Sequence, residues 1–135
     1  MSEPTQKAKN QVDFRDKHSC VRCGVSLESV AGSRHHRKPR AVGKHDVRNL
    51  ILLCGSGTTG CHGWAHSHPK NAHAAGYIIP GNNRALPEDI PVLVHAPGVE
   101  SHQSHVWVLL TADGQQVRIN NGPAQELLTA FGLVS

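Results

Sequence analysis

The chain has 135 residues, the length of one ordinary domain and too short for two full cores. Aromatics make up only 4% and apolar residues 38%, a fraction that reaches the globular range once the 13 glycines are added, so neither wholesale disorder nor a core resting on large rings fits. The formal charge is +4, the longest apolar runs have five residues against the roughly 20 of a bilayer span, and the polar start lacks the apolar stretch of a secretory signal; a soluble, cytoplasmic protein with no membrane partner is expected.

Residues 1–11 are polar and without periodicity, and read as a flexible tail. Residues 12–17 suit a short helical turn leading into Cys20. Cys20-Val21-Arg22-Cys23-Gly24 reads as a tight knuckle in which Gly24 supplies a positive φ. Residues 34–36 suit a strand end, and Pro39 and Gly43 then mark a loop running to about residue 47. The run 50–53 is too short for a buried helix and reads as a strand, followed by a glycine-rich loop. Residues 61–65 permit a helix. A second short helix, capped by Ser67 or His68 with Pro69 in its first position, ends at Gly76. Residues 77–97 hold four prolines and are expected to be mostly turn and extended chain. Two strand-like runs, 105–112 and 115–119, flank Asp113-Gly114, a two-residue hairpin signal, and a closing helix over 125–131 stops at Gly132. The class is α+β, with no internal repeat.

The chemistry is concentrated in the front of the chain. Eight of the 11 histidines and all four cysteines precede Tyr77, where twelve Lys/Arg face five Asp/Glu; from Tyr77 onward two face five. Arg34, Arg37, Lys38, Arg40, Lys44 and Arg48 fall within fifteen residues opposed only by Asp46, a density that attracts polyanions by screened Coulomb forces and counterion release.

Cys20 and Cys23 have the spacing of a zinc knuckle, since two thiolates so placed can point at one tetrahedral ion. Cys54 and Cys61 are separated by six residues, three of them glycine, which makes closure of a four-cysteine site feasible. Two disulfides are the competing arrangement, disfavoured in an intracellular setting. A structural zinc site on Cys20, Cys23, Cys54 and Cys61 is expected, and it would offset a thin core by on the order of 10–16 kcal/mol.

His62 and His66 are four apart, which on a helix places both on one face. With His35 they offer three imidazole nitrogens for one divalent ion, leaving positions open for water and a phosphate oxygen. His36 points to the other side of a strand end and could take a proton from an attacking water near neutral pH. Asn49 could fix the basic loop by side-chain bonds to its backbone.

The succession Cys20-x-x-Cys23, His35-His36-Arg37-x-Pro39, Asn49-Leu50-x-x-Leu53-Cys54 and Cys61-His62-x-x-x-His66 resembles the HNH endonucleases of the ββα-metal fold, especially the zinc-knuckle type of bacteriophages and prophages. The resemblance covers about residues 12–76. It implies a small nuclease core stapled by the knuckle; residues 77–135 lie outside it and are expected as a C-terminal hairpin and helix extension of open role, a protein partner among the options. It further implies His36 as general base, Asn49 as the residue positioning it, and His35, His62 and His66 as holders of a catalytic divalent ion (magnesium, manganese, nickel or zinc). Arg37, Lys38, Arg40 and Lys44 would hold the DNA backbone, and a phage-encoded chain would work in the host cytoplasm. The departures are the long Cys54–Cys61 gap and Pro69, which cuts the metal-binding helix short and leaves His68 as an alternative to His66. The rival is a non-catalytic zinc module binding nucleic acid or protein, which would need the cysteines and the basic loop but not His36 beside His35.

Overall fold

The computed structural model describes residues 3–96 and 104–135, which form five helices and two small antiparallel sheets. Helix α1 spans Gln6–Arg15. It is capped by the Thr5 hydroxyl, which accepts the Ala8 amide at 3.1 Å. Residues 6–11 of the tail expected to be flexible are therefore helical. A sequence with so few apolar side chains carries no periodicity, and α1 is held instead by Val12, buried against Leu50 and Leu52, and by the ion pair that follows it. Arg15 and Asp16 pair at 2.8 Å with both side chains buried. Arg15 also donates to the carbonyls of Val47 and Leu50 at 2.7 and 2.5 Å, and Asp16 accepts the Leu52 amide at 3.0 Å. Lys17 and His18 then take φ of 58° and 52°, which ends the helix and turns the chain into the knuckle.

Strand β1 (Gly32–His36) pairs antiparallel with β2 (Leu50–Cys54), from Gly32 opposite Cys54 to His36 opposite Leu50. The connection carries the one-turn helix α2 (Arg40–Gly43) and a 3-10 turn over Val47–Asn49. All five β2 side chains are buried. Alternate residues serve different neighbours: Ile51 and Leu53 pack with Ala65 and Val108, while Leu50 and Leu52 pack with Val12. Covered on both faces, the strand reads as an unbroken apolar run. Helix α3 (Gly60–Ser67) packs across β1 and β2, and α4 (Pro69–Ala74) follows with His68 as its cap. The break at Pro69 thus falls after the four-residue repeat of His62 and His66.

The second sheet has the order β3-β4-β5, with β3 at Val92–His95, β4 at His105–Leu110 and β5 at Gln116–Ile119. Strand β3 lies where turn and extended chain were expected; its alternating burial is brief and follows directly on Pro91. Residue 97, the end of that expected stretch, lies outside the described residues. The β4–β5 loop is one residue longer than a two-residue turn. The Thr111 amide bonds the Gln115 carbonyl at 3.0 Å around Ala112-Asp113-Gly114, and Gly114 takes φ +79°. Helix α5 (Asn121–Ala130) starts four residues before the expected onset, with Pro123 in its first turn where its missing N–H costs nothing.

Tyr77 marks a shift in charge but not an edge of the core. Val92, Val94, Val108 and Leu110 share one apolar cluster with Cys20, Ile51 and Leu53. Arg37, 1% exposed, spans the two halves. Its guanidinium donates to the carbonyls of Gly76 at 2.8 Å, Arg48 at 3.0 Å, Pro87 at 2.8 Å and Ile90 at 2.6 Å. No described helix is long and apolar enough to cross a membrane.

Candidate metal centres

The knuckle brings Cys20, Cys23, Cys54 and Cys61 together, with one sulfur from each lying within 4.8 Å of the others. Cys20 and Cys23 come from the turn after α1, Cys54 from the end of β2, and Cys61 from the first turn of α3. Gly24 takes φ +81° to close the turn, as its position suggests. None of the four is in a disulfide. Cys23 Sγ and Cys54 Sγ are 3.8 Å apart, against about 2.05 Å for a disulfide. That separation matches the edge of a tetrahedron with zinc–sulfur bonds of about 2.3 Å. Among the described residues, nitrogen donors face two of the sulfurs: the Cys61 amide to Cys54 Sγ at 3.3 Å and Arg22 Nη1 to Cys61 Sγ at 3.4 Å. The Arg22 guanidinium lies over the Trp64 ring, 3.6 Å from its centroid. Without a cation, burial pushes the Cys61 thiol up from its ordinary value, with Arg22 pulling the other way. The donor set therefore fits a structural zinc, whose charge holds such thiols as thiolates.

A second cluster joins His35 at the end of β1 to His62 and His66 on α3, with one nitrogen from each within 4.8 Å of the others. His68 is not among them; its Nδ1 lies 3.1 Å from the Trp64 carbonyl. The ring centroids are 4.9 Å apart for His35 and His62, and 4.8 Å for His62 and His66. His35 Nε2 donates to the Tyr77 carbonyl at 2.8 Å, which leaves the lone pair on Nδ1. A backbone acceptor on one ring nitrogen is the usual way a ligating imidazole is oriented. Among the described residues, buried His62 Nδ1 has no hydrogen-bond partner. Such an atom costs about 1–3 kcal/mol unless something meets it. The trio runs from buried His35 through half-buried His62 to exposed His66, so one side of it faces solvent. Burial, against the Tyr77 hydrogen bond, holds His35 down to about 3, and burial with the nearby His66 lowers His62. Both rings are thus neutral at pH 7, the form that binds a cation. The residues fit a divalent ion held on one side and open on the other.

His36, beside His35, lies outside the trio. Its Nε2 is 3.0 Å from His45 Nδ1. Burial, then the charge of Arg40 and the neighbouring His45, hold it down to about 4, so it too is neutral at pH 7. Asn49 is fully buried and clamps the loop that starts at His36. Its Oδ1 accepts the Lys38 amide at 2.8 Å, and its Nδ2 donates to the carbonyls of Lys38 and Lys44, both at 3.1 Å. This is the loop-fixing arrangement expected of it. The clamp depends on Gly43, where an added Cβ would come within 2.4 Å of Asn49 Nδ2.

The four basic residues expected to grip DNA divide two and two. Arg37 and Lys38 are 1% and 4% exposed. Arg37 spends its donors on the four carbonyls named above, and Lys38 Nζ donates to the carbonyls of Asn83 and Ala85 at 2.8 and 2.6 Å. With both side chains buried, and with Arg37 making four and Lys38 two hydrogen bonds to internal carbonyls, the phosphate contacts expected of these two do not fit the structure. Burial lowers the Arg37 guanidinium to about 9, which leaves it charged at neutral pH. Arg40 and Lys44 are exposed. Arg34 pairs with Asp13 at 2.6 Å, and Arg48 with Asp46 at 2.8 Å and Glu88 at 3.2 Å. Sequence reasoning singled out neither Arg22 nor His45 for the two sites. Arg22 was open to notice inside the Cys-x-x-Cys turn, and His45 within a chain so rich in histidine.

Comparison with family models, with curated proteins and with solved structures finds no match to this chain.

Proposed function

We propose that the chain is a metal-dependent endonuclease of the HNH type acting on DNA, with β1, β2 and α3 as its ββα-metal core and a structural zinc in the knuckle. The observation that carries this reading is the trio itself: His35, His62 and His66 within 4.8 Å, with His62 Nδ1 buried and unpartnered and His66 exposed. A purely structural histidine cluster would satisfy its buried nitrogens internally. When bound there, a divalent ion supplies positive charge for a phosphate oxygen and for the departing 3′ oxygen.

The side chains of this protein do the rest. His36, neutral at pH 7 and adjacent in sequence to His35 of the trio, takes a proton from water as the water oxygen bonds to phosphorus. The bond from phosphorus to the 3′ oxygen breaks, that oxygen takes a proton from solvent, and the ends are a 5′-phosphate and a 3′-hydroxyl. Asn49 holds the loop beyond His36 in one conformation. Arg40 and Lys44 meet backbone phosphates, which carry no base sequence, so cleavage is weakly specific. The knuckle fixes the start of α3, because Cys61 directly precedes His62.

The test is nicking of supercoiled plasmid by the zinc-loaded protein with added Mn²⁺ or Mg²⁺, comparing parent with His36→Ala. Cleavage by the parent and its loss in the variant are expected. A parent that never nicks, or a variant that nicks equally, overturns the reading and leaves a non-catalytic zinc module.

A further inference from the structure

His36 has two ring nitrogens, and one of them is engaged. Its Nε2 lies 3.0 Å from His45 Nδ1, with ring centroids 5.1 Å apart at an interplanar angle of 60°. Of the two nitrogens in contact, one donates and the other accepts. If His45 donated, His36 would accept at Nε2 and carry its proton on Nδ1, leaving no free basic nitrogen. If His36 donates, its Nδ1 keeps the lone pair that a general base needs.

The chain goes to some length to place His45 there. Lys44, immediately before it, has φ 56° and ψ −153°, a backbone region that side chains rarely adopt and that costs about 1–3 kcal/mol. Two hydrogen bonds hold that conformation: the Lys44 amide to the Arg40 carbonyl at 3.0 Å, and Asn49 Nδ2 to the Lys44 carbonyl at 3.1 Å. Asn49 grips Lys38 at the other end of the same loop, two residues beyond His36. One buried amide therefore sets both sides of the His36–His45 contact.

We propose that His45 is a positioning residue for His36: through its Nδ1 it fixes the tautomer and ring orientation in which His36 keeps a basic nitrogen, and Asn49 acts on His36 through it. This rests on the hydrolytic reading above. His45 touches neither substrate nor metal in this role.

Steady-state plasmid or oligonucleotide cleavage by full-length parent, His36→Ala, His45→Ala and His45→Asn tests it, with zinc content and Mn²⁺ affinity measured on each. Asparagine places an oxygen where Nδ1 stood, so it can still accept from His36. Loss of an orienting partner costs about 10–100-fold in activity. His45→Ala should lose that much in kcat with KM and Mn²⁺ affinity kept, and His45→Asn should recover most of it. His45→Ala cleaving like the parent while His36→Ala is inactive overturns the proposal and leaves the hydrolytic reading standing. Equal losses in both His45 variants overturn it as well, since packing rather than the hydrogen bond would then be at stake. An inactive parent, or an active His36→Ala, removes the hydrolytic reading and this inference with it.

Discussion

Arg37 offers the sharpest separation between a folding role and a DNA-binding role. Its guanidinium is 1% exposed and meets four carbonyls, those of Gly76, Arg48, Pro87 and Ile90, at 2.6–3.0 Å. Arg37→Met fills similar space and removes every donor. Each buried carbonyl left without a partner costs about 1–3 kcal/mol. Removing the buried charge returns part of that, so a net loss of about 3–5 kcal/mol is expected. For a chain of this size that lowers Tm by about 10–20 °C. Arg37→Lys keeps the charge, but one ammonium cannot reach four divergent carbonyls, so most of the loss should persist. Arg40→Met, on an exposed side chain, should stay within about 0.5 kcal/mol of the parent. Thermal denaturation by circular dichroism at pH 7, zinc-loaded throughout, reads all three. An Arg37→Met protein with the parent's Tm but weakened DNA retention would refute the structural role and restore Arg37 as a phosphate contact.

Three further outcomes are expected. Cys61→Ser should lose the bound zinc, read by metal analysis, and should also weaken Mn²⁺ binding at the trio, because Cys61 anchors the turn of α3 that carries His62; retention of one zinc per chain would contradict the knuckle. Arg40→Ala with Lys44→Ala should weaken DNA binding uniformly across sequences and flatten the slope of log K against log salt by about 1.8; an unchanged slope would move the DNA seat elsewhere. In protein lacking a cation at the trio, His35 is held down to about 3 against about 6.5 in the unfolded chain. Its folded value is depressed, so stability is intact above about pH 6.5, falls as pH drops because the unfolded chain takes the proton first, and levels off near pH 3. The contribution is about 1.4 kcal/mol per pH unit in that window. His35→Asn should show a shallower acid slope by about one proton in urea titrations at successive pH values, and equal slopes would contradict the burial of a neutral ring.

What the sequence makes legible is local. Side chains that could hold one metal ion must converge within a few ångströms, and Cys20 with Cys23 and His62 with His66 sit at spacings that a turn and a helix impose. Pro69 announces α4, and the five apolar residues of β2 announce a strand covered on both faces. What stays hidden depends on distant partners. Arg37 and Lys38 belong by composition to a solvated basic run, and carbonyls 39–53 residues away, together with that of Arg48, show that their charges are turned into the fold. Helix α1 is hidden because one buried valine and one ion pair replace an apolar stripe. The contact of His36 with His45 has no motif spacing, since it is set by a strained residue and by an amide across the loop.

The most direct measurement of the central claim is Mn²⁺ titration of the zinc-loaded protein followed by water-proton relaxation, which detects a bound ion that still carries exchangeable water. One Mn²⁺ per chain with enhanced relaxation, lost in His62→Ala while the knuckle zinc is kept, is the result predicted for a trio holding an ion with an open side. No bound Mn²⁺, or an enhancement unchanged in His62→Ala, would contradict it.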